Sequence, residues 1–156
     1  MKITAQEEYG LRCLLQLART DGQGGLTVRE IALREGLSPA YVEKLLHLLS
    51  QVGLTQSVRG IRGGYLLAKR PQEISLGTVV RALGSVPKTT EICDRYTGNL
   101  SSCIHIDNCC IRAARETLTQ AIQSFLDQTL LSELVETEAK TKATLGHRIT
   151  EGPFSV

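Results

Sequence analysis

Apolar positions recur along this chain in two rhythms, and the change between them divides it into elements. The first rhythm is helical. Leu11, Leu14, Leu15 and Ala18 fall at spacings of three and four, the period of one helix face. Thr4-Ala5-Gln6-Glu7 supplies a capping box at its start, and Asp21-Gly22-Gln23-Gly24-Gly25 ends it as a loop. A second capping box, Thr27-Val28-Arg29-Glu30, opens a short helix with Ile31, Ala32 and Leu33 as its apolar positions, stopped by Gly36. Ser38-Pro39 then reads as an N-cap followed by proline at the first helical position. The third helix runs from about Ala40 to Gln51, with Val42, Leu45, Leu46 and Leu49 as its core stripe. Two short helices across a tight glycine turn predict a helix-turn-helix.

The rhythm changes after Val52-Gly53-Leu54. Thr55-Gln56-Ser57-Val58 and Tyr65-Leu66-Leu67-Ala68 have strand character and flank the basic turn Arg59-Gly60-Ile61-Arg62-Gly63-Gly64. A hairpin after a helix-turn-helix predicts a winged helix. The turn lacks the Gly-Lys-Ser/Thr ending of a phosphate-binding loop. Its glycines would let the tip approach a nucleic-acid backbone closely. Ser75 caps a fourth helix, Leu76 to about Leu83. From Cys109 a long helix carries Ile111, Ala114, Leu118, Ile122, Phe125 and Leu126 on one stripe, and a last short helix is expected from Leu130 to about Ala139. The long stripe needs cover, from a second copy in a two-fold dimer or by folding back on the first helix. The expected fold is mainly α with a small β-hairpin wing. Its parts are a winged helix-turn-helix over 1–87, a cysteine-rich loop over 88–110, a dimerisation segment over 109–139 and a flexible tail over 140–156.

Composition narrows the class. Hydrophobic residues make up 42% and charged residues 22%, ordinary for a globular chain with a real core. Aromatic content of 4% with no Trp argues against a base-stacking platform for single strands. No apolar run approaches the roughly 20 residues of a membrane span. Glu7 and Glu8 stand where a signal peptide would be apolar, so a cytoplasmic protein is expected. The net charge of +2 conceals an asymmetry: residues 1–70 hold 10 Lys and Arg against 6 Asp and Glu, whereas residues 71–156 hold 8 against 10. Arg59, Arg62, Lys69 and Arg70 lie in an acid-free stretch, a cluster that attracts polyanions. A solvated basic face is the plainer account of the excess alone.

Five cysteines without an export signal suggest metal or redox chemistry rather than a disulfide scaffold. Cys13 falls within the first helix as a small core residue. The others form Cys93-x9-Cys103-x5-Cys109-Cys110, with His105 and Asp107 inside the loop. Zinc ribbons use Cys-x2-Cys pairs, which this spacing lacks. Iron–sulphur clusters tolerate irregular thiolate spacing, and a helix N-terminus favours thiolate at Cys109 and Cys110. By residue type alone, zinc, an iron–sulphur cluster and a plain thiol switch stay open. An enzyme using Cys109 or Cys110 with His105 as base lacks a recognisable acid or oxyanion element.

Tyr9-Gly10-Leu11-Arg12, the helix-turn-helix from Ser38 to Lys44, Val58-Arg59-Gly60 and Arg62-Gly63-Gly64-Tyr65-Leu66-Leu67 together resemble the Rrf-two family of bacterial winged-helix regulators. The resemblance extends through the cysteine loop and long helix to Leu131-Ser132-Glu133-Leu134-Val135, about residues 1–138. It implies a homodimer on partly palindromic double-stranded DNA, with the recognition helix in the major groove and the wing in the minor groove. No membrane and no small-molecule substrate are expected. Ser38, Ala40, Tyr41, Glu43 and Lys44 match the recognition surface, and Arg59, Gly60 and Arg62 match the wing. The chemistry agrees: Ser38 suits phosphate, Glu43 a cytosine amine and Arg59 a narrow minor groove.

The family's cluster ligands map onto Cys93, Cys103 and Cys109. The chain departs from the family's iron–sulphur branch in a longer first gap, and in Arg112 where a histidine follows the last cysteine. Arginine cannot ligate iron. In the nitric-oxide-regulator branch an acid in the partner's first helix is the fourth ligand, and Glu8 matches it here. Glu8 shares a stripe with Leu11, Leu15 and Ala18, an awkward place for a solvated acid. Cys110 and His105 are the alternatives. Three thiolates and one carboxylate suit a 4Fe-4S cube over a 2Fe-2S cluster. The expected function is a DNA-binding regulator, most simply a repressor, sensing redox, iron or nitric oxide status. The alternatives are a cluster-free disulfide switch and a zinc-stabilised DNA-binding protein.

Overall fold

The computed structural model describes residues 4–20, 24–60, 63–84, 96–136 and 138–151. Arg62 and Cys93 lie outside these residues. The helices are α1 (Ala5–Arg19), α2 (Val28–Glu35) and α3 (Pro39–Gln51), followed by the strands β1 (Thr55–Val58) and β2 (Gly64–Leu67). After a short 3-10 turn over Pro71–Glu73 come α4 (Leu76–Leu83), α5 (Cys110–Gln128), α6 (Leu131–Leu134) and α7 (Glu138–Glu151).

Both capping boxes form as their spacing demands. Thr4 and Thr27 accept from the amides of Glu7 and Glu30, whose carboxylates reach back to Thr4 N at 2.7 Å and Thr27 N at 2.7 Å. The bonds from Thr27 hold the Glu30 carboxyl below its ordinary range. Ser38 caps α3, Ser75 caps α4 and Gly36 ends α2 in the left-handed conformation.

The core gathers Cys13, Leu14 and Leu17 of α1, Ile31 and Ala32 of α2, and the predicted α3 stripe of Val42, Leu45, Leu46 and Leu49. Leu33 departs from expectation at 85% exposed. Successive helical residues turn by about 100°, so three in a row cannot share one buried face. On the first stripe Ala18 is buried, Leu11 and Leu15 are half-buried, and the stripe opens to solvent at Glu8, whose side chain is 62% exposed. The same α1 surface carries Arg12, which bonds Glu35 at the end of α2 at 2.5 Å, with the Glu35 side chain only 6% exposed. Donating to the Glu35 carboxylate raises the guanidinium's pKa.

The strands pair antiparallel with Thr55 opposite Leu67 and Val58 opposite Gly64. The hairpin is bonded back to the body through Leu26: Tyr65 N donates to Leu26 O at 2.8 Å, and Leu26 N donates to Tyr65 O at 3.0 Å. Gly64 permits this, because its φ is +148° and a Cβ there would lie 2.5 Å from Leu26 O.

After α5 the chain returns to the DNA-binding half. Leu76 N donates to Thr129 O and Leu131 N donates to Ile74 O, both at 2.8 Å, which seats Leu131 in the core at 0% exposure. Of the two covers considered for α5, folding back on its own domain is seen in part, on α4 rather than on the first helix, with Arg81 of α4 meeting Asp127 at 2.7 Å. Two further expectations are corrected. The last short helix ends at Leu134, not near Ala139, and the expected flexible tail is helical from Glu138 to Glu151. Arg148 anchors that helix, bonding Glu133 Oε1 at 2.6 Å, Gln128 O at 2.9 Å and Thr129 Oγ1 at 3.1 Å.

Candidate nucleic-acid interface and cysteine loop

The outer face of α3 is set by what its inner face buries. With Val42, Leu45, Leu46 and Leu49 inward, Ser38, Ala40, Glu43, Lys44, His47, Ser50 and Gln51 are exposed. Ser38 Oγ accepts Tyr41 N at 3.3 Å, so the predicted phosphate-facing hydroxyl is engaged as the helix cap. Tyr41 is half-buried, its ring edge-on to Tyr9 at 6.1 Å, and it links α3 to α1. His47 and Gln51 were absent from the recognition surface read in the sequence. Their spacing of four and seven residues beyond Glu43 and Lys44 was the available signal.

Arg59 and Gly60 are exposed at the wing tip, where Gly60 has φ +118° with open space around it. The remaining glycines serve the protein's own backbone. A Cβ on Gly63 would meet Val58 O at 2.5 Å, and one on Gly64 would meet Leu26 O at 2.5 Å, so the protein's own backbone requires both glycines. Arg70, counted in the basic cluster, is paired with Glu73 at 3.1 Å, and this raises its pKa.

The cysteine loop leads into α5. Cys109 is the N-cap, and its Sγ accepts Arg112 N at 3.4 Å. Cys103 begins a tight turn in which its carbonyl accepts Ile106 N at 3.0 Å. Cys103 and Cys109 are half-buried free thiols, whereas Cys110, His105 and Asp107 are exposed. Arg112, read in the sequence only as a lost ligand, clamps the loop by donating through Nη2 to His105 O at 3.4 Å and to Ile106 O. An arginine three residues past an N-cap can reach the carbonyls that precede the helix. Among the described residues no three His, Cys, Asp or Glu side chains converge to hold a metal. Soft thiols at a helix N-terminus nevertheless suit an iron–sulphur group in donor chemistry.

Cys13 is fully buried, and burial pushes its thiol up to about 12. At neutral pH it carries almost no thiolate. Brief alkylation of the folded protein is expected to label Cys109 and Cys110 while sparing Cys13, as read by peptide mass spectrometry. Early labelling of Cys13 would contradict its place in the core.

α5 has no buried residue within this chain. Ile111 is 72% and Leu118 61% exposed, and Ile122, Phe125 and Leu126 are half-buried. Among the described residues no helix is long and apolar enough to cross a membrane.

A helix-turn-helix followed by a basic hairpin defines a winged-helix DNA-binding protein. The sequence profile described as "Rrf2: Iron-dependent Transcriptional regulator" matches residues 3–137. The chain belongs to the Rrf2 family of transcriptional regulators, which are not enzymes. It is 30% identical to the HTH-type transcriptional regulator NsrR of Geobacillus kaustophilus, over 95% of this chain and 99% of that one. It is 33% identical to the HTH-type transcriptional regulator IscR of Serratia proteamaculans, over 88% and 81% respectively. Among solved structures, T. potens IscR matches with TM-score 0.69 at 30% identity, covering 86% of each chain. CymR, the global cysteine regulator of B. subtilis, matches with TM-score 0.70 at 29% identity, covering 86% of this chain and 96% of that one.

Proposed function

We propose that this chain acts as a cytoplasmic homodimer on a partly palindromic operator, most simply as a repressor. Its sensor would be an iron–sulphur cluster reporting redox, iron or nitric oxide status. Cys93, Cys103 and Cys109 would hold the cluster, with Glu8 of the partner subunit as fourth ligand. The observation that carries this reading is Cys109 capping α5, with Cys103 on the adjoining turn, at the head of a helix whose Ile111 and Leu118 stay exposed in one chain. Burying the α5 stripe against its two-fold mate presents two recognition helices to a palindrome.

Each residue has a definite task. The α5 N-terminus favours thiolate at Cys109, and Arg112 holds the loop carbonyls so that the cysteines keep their spacing. Glu8 is exposed and only 4.0 Å from Arg12, so a better partner can draw it away. When bound, a cluster with one carboxylate ligand supplies a reactive vertex, because carboxylate is a harder and weaker ligand to iron than thiolate. Glu8 and Tyr9 are neighbours on α1, and Tyr9 packs on Tyr41 of α3. A change at Glu8 would therefore fall beside the contact between α1 and α3, the route by which the sensor would be coupled to the operator. The wing supplies Arg59, Gly60 and Arg62, and α3 supplies Ser38, Ala40, Tyr41, Glu43 and Lys44.

The test is the visible spectrum of protein purified without oxygen, with iron and sulphide assayed on the same sample. Brown protein with stoichiometric iron and sulphide is the expected result, and the iron count separates 4Fe-4S from 2Fe-2S. Glu8→Ala should change how long the colour survives in air while leaving the dimer intact; unchanged chemistry would remove Glu8 from the site. A second reading is a cluster-free switch in which Cys103 or Cys109 closes a disulfide on oxidation; its support is that both are half-buried free thiols. Protein that stays colourless and metal-free after reconstitution would establish it over the cluster.

A further inference from the structure

Gln51 and His47 form a polar pair on the recognition helix, with Gln51 Nε2 3.1 Å from His47 Nε2. An amide nitrogen only donates, so in this contact Gln51 is the donor and His47 Nε2 the acceptor. The bond takes one of the two N–H groups of Gln51. The other N–H and Oε1 remain, a donor beside an acceptor on a side chain whose rotation His47 restrains.

The placement of this pair points to base edges rather than phosphates. Ala40, Glu43 or Lys44, His47 and Gln51 recur at spacings of three and four on the exposed face of α3, and Thr55 of the wing begins four residues later. The last turn of α3 has no basic residue, and Glu43 offsets Lys44 along the exposed stripe. The helix therefore contributes little to the charge attraction that gives DNA affinity, which rests on groups such as Arg59. What the C-terminal half of α3 offers a duplex is neutral hydrogen bonding. A glutamine amide presenting donor and acceptor together matches N7 and the N6 amine of adenine in the major groove.

We propose that Gln51 reads an adenine in the major groove, with His47 as the residue that positions its amide. The inference rests on the winged-helix reading of α3 as the recognition helix. Gln51 lies seven residues beyond Lys44, about 10 Å along the axis. For a helix lying along the groove, its adenine is about three base pairs from the pair facing Lys44, at 3.4 Å per base pair.

The experiment selects binding sites for the full-length protein from randomised duplex DNA, then measures anisotropy titrations on the selected site and its single-base-pair variants. The wild type should show one A·T position whose replacement weakens binding about tenfold, the scale of one bidentate base contact. In Gln51→Ala that penalty should vanish while preferences at all other positions persist. His47→Ala should shrink the same penalty and no other, a pattern that general damage to the helix would not produce. Wild-type preferences at every position in Gln51→Ala, or an equal loss at all positions, would overturn the proposal. A wild type that selects no sequence would instead fail the winged-helix reading, and the inference with it.

Discussion

Cys109→Ser is expected to give a folded but colourless protein, and the reason lies in two separable duties of one sulphur atom. Cys109 caps α5 through its bond with Arg112 N and is also proposed to ligate the cluster. A serine hydroxyl is a preferred N-cap acceptor, so the substitution keeps or improves the helix start while removing the thiolate. Circular dichroism should therefore match the wild type, whereas iron and sulphide in anaerobically purified protein should fall to background. Cys110→Ser is the control: Cys110 is exposed at the first helical position, and its colour should persist. Full iron and sulphide in Cys109→Ser would remove Cys109 from the ligand set. Loss of colour in Cys110→Ser would move the site one residue along the chain.

The second large effect concerns stability. Leu45 is at 0% exposure in the cluster where α1, α2 and α3 meet. Truncating such a leucine removes its transfer free energy and leaves a cavity, together about 3 kcal/mol. Domains of this size are stable by only about 5–15 kcal/mol, so Leu45→Ala should lower the urea midpoint markedly with little change in slope. Both proteins must be compared at one concentration, because the proposed dimerisation would add to apparent stability. A loss below about 1 kcal/mol would mean that the three helices collapse around the gap and that Leu45 is not their common packing centre.

The parts of the fold legible in the sequence are those with short-range causes. The Thr4/Glu7 and Thr27/Glu30 boxes, the Ser38 and Ser75 caps, and the α3 stripe all depend on residues within a few positions of one another. The wing was legible because its glycines and strand residues are adjacent. The duty of those glycines was not. Whether Gly64 packs on Leu26 depends on a residue of the segment before α2, 38 positions away in the chain. Arg112 shows the same limit: its residue type excluded it as a ligand, but only the turn of the loop shows that it clamps the His105 and Ile106 carbonyls.

By itself the sequence determined the helix-turn-helix, the hairpin, the exposed charge at Arg59 and the grouping of cysteines before a helix, because local hydrogen bonds and periodicity specify each of these. Tertiary structure alone decided that Leu131 completes a core begun by α1, that α5 leans on α4 and leaves Ile111 and Leu118 exposed, and that Arg148 ties down the C-terminal helix. These are contacts between residues distant in the chain. Their partners are chosen by which surfaces remain unburied once the local elements have formed, and a pattern of neighbours carries no record of that choice.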